Sequence, residues 1–126
     1  MRKKDINTKI DDDFIVVKIH TKKRKRGIEI RKVPIRKNDE LASYILFYIE
    51  DMHEECVLFQ FSRQTALNRI KKYDKTLWCH LFRHARLTEL AEKMTDQELT
   101  QFAGWTDSRP SKNYIHLKWR NLKDKV

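Results

Sequence analysis

The chain has 126 residues, and 28 Lys and Arg against 18 Asp and Glu leave a formal net charge of +10. That surplus favours a polyanionic partner, nucleic acid ahead of an acidic membrane surface, and says little about fold. No stretch reaches the ~20 apolar residues of a membrane span, and Met1-Arg2-Lys3-Lys4 is followed by polar residues rather than a signal-peptide core.

Further bounds follow from residue usage. Cys56 and Cys79 lack CxxC spacing and fit a reducing compartment. Two Gly and two Pro argue for long regular elements. A chain of this length is expected to form one domain that buries roughly two-thirds of its unfolded surface.

Residues 14–20 read FIVVKIH, a β-branched run that predicts a strand. Residues 28–34 read IEIRKVP, alternating as a half-exposed strand does. Between them lies Thr21-Lys22-Lys23-Arg24-Lys25-Arg26-Gly27, so the pair is expected to be a hairpin with a basic loop. Leu41, Tyr44, Ile45, Tyr48, Ile49 and Met52 trace an apolar helix face behind Asn38-Asp39-Glu40, which suit a helix start. Residues 56–59 are a short apolar run, strand or loop. Ser62 is placed to cap a helix running to about Tyr73, with Leu67 and Ile70 inward, and residues 79–94 form the next. Thr95 and Glu98 have capping-box spacing for a helix that turns Leu99, Phe102 and Ala103 inward and ends at Gly104. Pro110 suits the first turn of a last short helix that presents Tyr114. With no repeat, linker or composition break, the expected fold is a single α+β domain over residues 1–126, mostly helical: a β-hairpin followed by a helical bundle.

One cluster stands out against this frame. His80, Arg83 and His84 continue, at i, i+3 and i+4, the helical stripe of Leu87, Ala91 and Met94. Two imidazoles and a guanidinium thus fall where core residues are expected, and burying them unpaired costs several kcal/mol, roughly. An anion facing them would resolve this. With Tyr114 the set has the logic of phosphoryl transfer. A free phenol, with a pKa near ~10, is a weak nucleophile at neutral pH. It attacks a phosphodiester only if a base takes its proton and cations hold the phosphate. Arg83 offers paired donors, and His80 can donate to the phosphate or move a proton. Lys22 or Lys23 in the hairpin could protonate the leaving 5′ oxygen, and Trp105 follows Gly104. A covalent phosphotyrosine conserves the phosphodiester energy, so this chemistry needs no cofactor, no metal and no small-molecule substrate.

The run HLFRH (80–84), then FAGW (102–105), then NYIHL (113–117) resembles the C-terminal half of tyrosine recombinase catalytic domains, the phage-integrase family with its Xer-like and archaeal members. IVVKIH, the basic turn TKKRKR and RKVPI look like its β-hairpin, and FSRQTALNRIKK like the helix before its HxxR motif. The likeness spans about Asp5 to Lys118. It implies Tyr114 as the nucleophile of a 3′-phosphotyrosine, Arg83 as the second catalytic arginine and His80 as the histidine of HxxR. Trp105 would stand where the family usually has His, and Lys22, with Lys23 as alternative, would be the general acid. The basic residues Lys22, Lys23, Arg24, Lys25 and Arg26 would contact DNA. The implied function is site-specific cleavage and rejoining of double-stranded DNA, in recombination or integration, together with other recombinase protomers. The setting would be the cytoplasm and nucleoid, and the origin a prokaryote, a virus or another mobile element. The family's first arginine, in a G-x-R-x-x-E-type motif, is expected before Met1, and the resemblance places its core-binding domain outside residues 1–126 too. Cleavage by these residues alone is therefore expected to be impaired.

Other readings compete. His80, Arg83 and His84 could be helix-start polar groups satisfied locally. A zinc reading of the two histidines lacks the Glu of HExxH. Residues 86–118 also read as a helix-turn-helix, making the chain a DNA binder or recombinase-derived regulator without chemistry. A type IB topoisomerase shares a similar constellation. His84 is expected to be structural and hydrogen-bonded in the core. Tyr44, Tyr48 and Tyr73 sit at helical core spacing.

Overall fold

The structure, a computed structural model, describes residues 1–23 and 27–114, with the side chain of Lys23 outside the description. The chain divides into two compact units, Met1–Gln60 and Phe61–Val126. The architecture is mixed α+β: a three-stranded antiparallel sheet and four α-helices among the described residues.

The first unit is built on the expected hairpin. β2 (Phe14–Lys23) pairs with β3 (Gly27–Arg36) from Phe14↔Arg36 to Lys23↔Gly27. Both strands run further toward the turn than the β-branched core alone indicates. Lys22 is therefore a strand residue opposite Ile28, and only Arg24, Lys25 and Arg26 of the basic run lie outside the described residues. A short β1 (Ile6–Asn7), which carries no sequence signal of its own, adds to the other edge of β2. Ile15 and Val17 are buried together with Ala42, Ile49 and Leu58 elsewhere in the unit. On β3 the more covered positions are Glu29, Arg31, Val33 and Ile35, whereas Ile28 and Ile30 are exposed, so charge rather than hydrophobicity occupies half of the covered face.

Asp39 caps α1 (Glu40–Ile49) by accepting from the Leu41 N–H. Its buried residues are Ala42 and Ile49; Leu41, Tyr44 and Tyr48 of the expected apolar face are exposed. The phenol hydroxyls find local acceptors instead: Tyr44 donates to Glu40 and Tyr48 to the Leu58 carbonyl. Residues 56–59 form no strand; Val57 makes one isolated bridge to Arg2.

Asp5 ties the start of the chain to the sheet. Buried at the end of a 3-10 turn (Lys3–Asp5), its carboxylate accepts from the Arg2 backbone N–H at 2.7 Å and from His20 Nε2 at 3.0 Å. The Arg2 N–H, helped by His20, holds the Asp5 carboxyl below its usual range despite burial.

The second unit contains α2 (Arg63–Tyr73), α3 (Cys79–Ala91) and α4 (Asp96–Ala103), then a 3-10 helix at Arg109–Asn113. The local signals act as expected. Ser62 Oγ accepts from Thr65 N–H, and Thr95 and Glu98 form the reciprocal capping box. Leu87, Leu90, Ala91, Leu99 and Ala103 make the core, with Met94, Phe102, Trp105 and Tyr114 packed against it. This cluster covers α3 only from Leu87 onward. His84 and His80, one and two turns earlier, are exposed, so the burial expected of them does not occur. Tyr73 is also exposed, at 91 %.

Replacing Asp5 with Ala should lower the stability of the chain by about 1–3 kcal/mol, because Arg2 N–H and His20 lose a charged acceptor. Urea titrations would read it. With the folded Asp5 pKa depressed, its contribution is complete above the ordinary value of 3.8 and fades as pH falls through the lower folded value. Acid titration of the Asp5→Ala chain should lack that component.

Candidate phosphate site around Tyr114

The candidate site assembles within the second unit on a scaffold set by Gly104. This residue ends α4 in the left-handed region (φ 73°, ψ 30°), where a Cβ is disfavoured. Its N–H reaches the Gln101 carbonyl at 3.2 Å, and the Trp105 N–H reaches the Thr100 carbonyl at 3.1 Å, the bonding of a Schellman motif. The reversal lays Trp105 against the core and aims the chain back toward α3.

A short loop then delivers Tyr114. Asp107 accepts from the Arg109 backbone N–H at 2.9 Å and grips its guanidinium with two bonds of 3.0 and 2.6 Å. The Arg109 side chain and N–H hold the Asp107 carboxyl at a pKa of about 2. Pro110 lies in the first turn of the 3-10 helix, as its fixed φ favours. Ser111, 1 % exposed, donates from Oγ to the Ser108 carbonyl at 2.6 Å, which satisfies a buried hydroxyl. The Tyr114 N–H closes the turn on the Ser111 carbonyl at 2.9 Å.

Tyr114 thereby stacks on two rings. Its centroid lies 5.8 Å from Trp105, with planes 22° apart, and 6.0 Å from His84, with planes 28° apart. The Tyr114 hydroxyl is 2.6 Å from His84 Nδ1. With the ring proton on Nε2, Nδ1 accepts the phenolic proton's hydrogen bond. His84 is therefore not a core histidine, contrary to expectation. It is an exposed residue bonded to the one tyrosine that the motif spacing singles out. Its position at i+4 from His80 carried the signal, since one helix face holds both rings; they meet edge-on at 6.4 Å.

Arg83 is half-buried, and its Nη2 donates to the Ala103 carbonyl at 2.7 Å. That bond links α3 to the last residue of α4, directly before Gly104 and Trp105. Of the five residues expected at the site, His80, Arg83, Trp105 and Tyr114 belong to the second unit. Lys22 is exposed on β2 of the first. Ser111 was not foreseen; the spacing Ser108-x-x-Ser111 before a tyrosine is its only mark in the sequence. The expected last short helix is a 3-10 helix, Arg109–Asn113, with Pro110 in its first turn and Tyr114 at its end; it is also the start of the segment that the helix-turn-helix reading takes as its reader. Residues 115–118 of that reading lie outside the described residues. No group of three or more His, Cys, Asp or Glu among the described residues is placed to hold a metal ion.

Comparison with family models, curated proteins and solved structures finds no match to this chain. Among the described residues no helix is long and apolar enough to cross a membrane.

Gly104→Ala should cost about 1–2 kcal/mol, the penalty of a Cβ in the left-handed region. The cost should appear as a lower midpoint in thermal unfolding. The strain falls on the turn that seats Trp105, so a change in native tryptophan emission should accompany it. An unchanged midpoint would show that the turn does not depend on glycine.

Proposed function

We propose that the second unit is the tyrosine-bearing part of a tyrosine recombinase-like site that cuts and rejoins double-stranded DNA. The observation that carries this reading is the 2.6 Å contact between His84 Nδ1 and the Tyr114 hydroxyl, formed on the helix that also bears His80 and Arg83. A nucleophilic tyrosine needs a basic acceptor on its oxygen, because the phenol must lose its proton as it attacks.

In the proposed step Tyr114 Oη bonds to phosphorus and the bond to the 5′ oxygen breaks. The phenolic proton passes to His84 Nδ1. The 5′ oxygen leaves as a hydroxyl with a proton from a general acid, the role the resemblance gives to Lys22. The product is a 3′-phosphotyrosine, and attack by a 5′ hydroxyl reverses the sequence. Arg83, anchored through Nη2, would present its remaining donors to the non-bridging oxygens, and His80 and the Trp105 indole N–H would add donors. The net charge of +10 and the basic hairpin run favour a DNA backbone as partner. Other protomers on the same DNA follow from the resemblance alone.

The test is a nicked suicide duplex, selected for binding from a random-sequence pool and incubated with the full chain for hours. A denaturant-resistant protein–DNA adduct is expected, absent in Tyr114→Phe. His84→Gln, which keeps an acceptor but not a base, should slow its formation by about a hundred-fold or more. That deficit should shrink as pH rises and hydroxide takes over as base. An adduct that persists in Tyr114→Phe would overturn the assignment of Tyr114. DNA bound without any adduct would favour the non-catalytic binding module.

A further inference from the structure

Beside the Tyr114 cluster, within the same unit, lies an open cavity of about 500 Å³ lined by Arg63, Gln64, Leu67, Trp78, Cys79 and His80. Its size falls within the ~300–1,000 Å³ of small-ligand sites. His80 belongs to both places: it lines this cavity and meets His84 edge-on. We infer that the cavity is a subsite for a single unpaired nucleobase next to the phosphate that Tyr114 would attack, with the Trp78 indole as its stacking platform. This inference rests on the DNA reading above and adds to it a feature of the substrate.

The lining is suited to a base and its phosphate. Trp78 is 48 % exposed, an indole left uncovered at a cavity wall. It occupies the N-cap position of α3 but makes no side-chain cap bond, where Ser, Thr, Asp or Asn would ordinarily satisfy the helix. A residue that forgoes the local rule and leaves half its indole uncovered points to a role outside the fold. Its backbone is also preset. Asp74 accepts from Thr76 N–H and Oγ1, the Leu77 N–H bonds to the Asp74 carbonyl, and the Trp78 carbonyl takes the Leu81 N–H.

Across the cavity Leu67 supplies an apolar surface and Arg63 a cation. The Gln64 amide is oriented by its Nε2 bond to Asn68 at 3.0 Å, so a base edge would meet a preset polar group. Every base has a π-face, so stacking of this kind tolerates sequence, and an arginine nearby suits the attached phosphate. A base still paired in a duplex cannot enter such a pocket, which makes the selected feature an unstacked base.

The experiment uses the full chain and two duplexes of one sequence. One is fully paired; the other carries one extra, unpaired 2-aminopurine beside a nick. The wild-type chain should bind the second about ten-fold more tightly and quench its 2-aminopurine emission. Trp78→Leu should lose both the preference and the quenching, whereas Trp78→Phe, which keeps an aromatic face, should retain most of the preference. Should Trp78→Leu fail to fold, Trp78→Phe paired with Arg63→Ala carries the test: the first keeps the preference and the second loses most of it. Equal binding of the two duplexes by the wild-type chain, or a preference that survives in Trp78→Leu or Arg63→Ala, overturns the subsite. Either result leaves the Tyr114 reading intact provided the Tyr114 adduct still forms. No binding to either duplex overturns both readings.

Discussion

The hydrogen bond between His84 Nδ1 and the Tyr114 hydroxyl is the interaction on which the chemistry proposed for the second unit depends. At 2.6 Å it places an acceptor where a phenolic proton must go. Much of the surrounding architecture serves to bring these two atoms together across thirty residues of sequence. The Schellman turn at Gly104 reverses the chain, Trp105 supplies a stacking surface, and the buried Ser111 hydroxyl pins the 3-10 turn from which Tyr114 projects. The core of Leu87, Leu90, Ala91, Leu99 and Ala103 lies beneath them and holds α3 against α4.

In the proposed chemistry the arginine at the centre of this arrangement would serve two ends. Arg83 bonds the last carbonyl of α4, which fixes its guanidinium and couples the position of Trp105 to α3. A cation held in this way loses less freedom when it meets a phosphate than a lysine on a flexible stem. Arg109, by contrast, is engaged with Asp107 and shapes the loop that leads to Tyr114.

Much of this was legible in the residues, and the gaps have physical reasons. Capping chemistry is local, so Ser62, Thr95 with Glu98, and Gly104 marked their helix ends correctly. The hairpin was legible from β-branched runs. Burial was less so. Periodicity identifies a face but not the extent of the surface that covers it. His80 and His84 on α3, and Leu41, Tyr44 and Tyr48 on α1, continue apolar stripes yet are exposed. β1 is too short to carry a pattern, and the Asp5–His20 tie lies beside its pairing with β2. His84 departs from expectation for the same reason as its neighbours. Assigned to the core by its stripe, it is instead the residue that contacts the proposed nucleophile.

Exposure and chemistry make opposite forecasts about which tyrosine reacts. Tyr73 is 91 % exposed on α2, whereas Tyr114 is half-buried but bonded to an imidazole. Proteolysis of a trapped protein–DNA adduct followed by mass spectrometry of the nucleotide-bearing peptide separates them. The account predicts the nucleotide on Tyr114 alone. A nucleotide on Tyr73, or on any residue other than Tyr114, would contradict it.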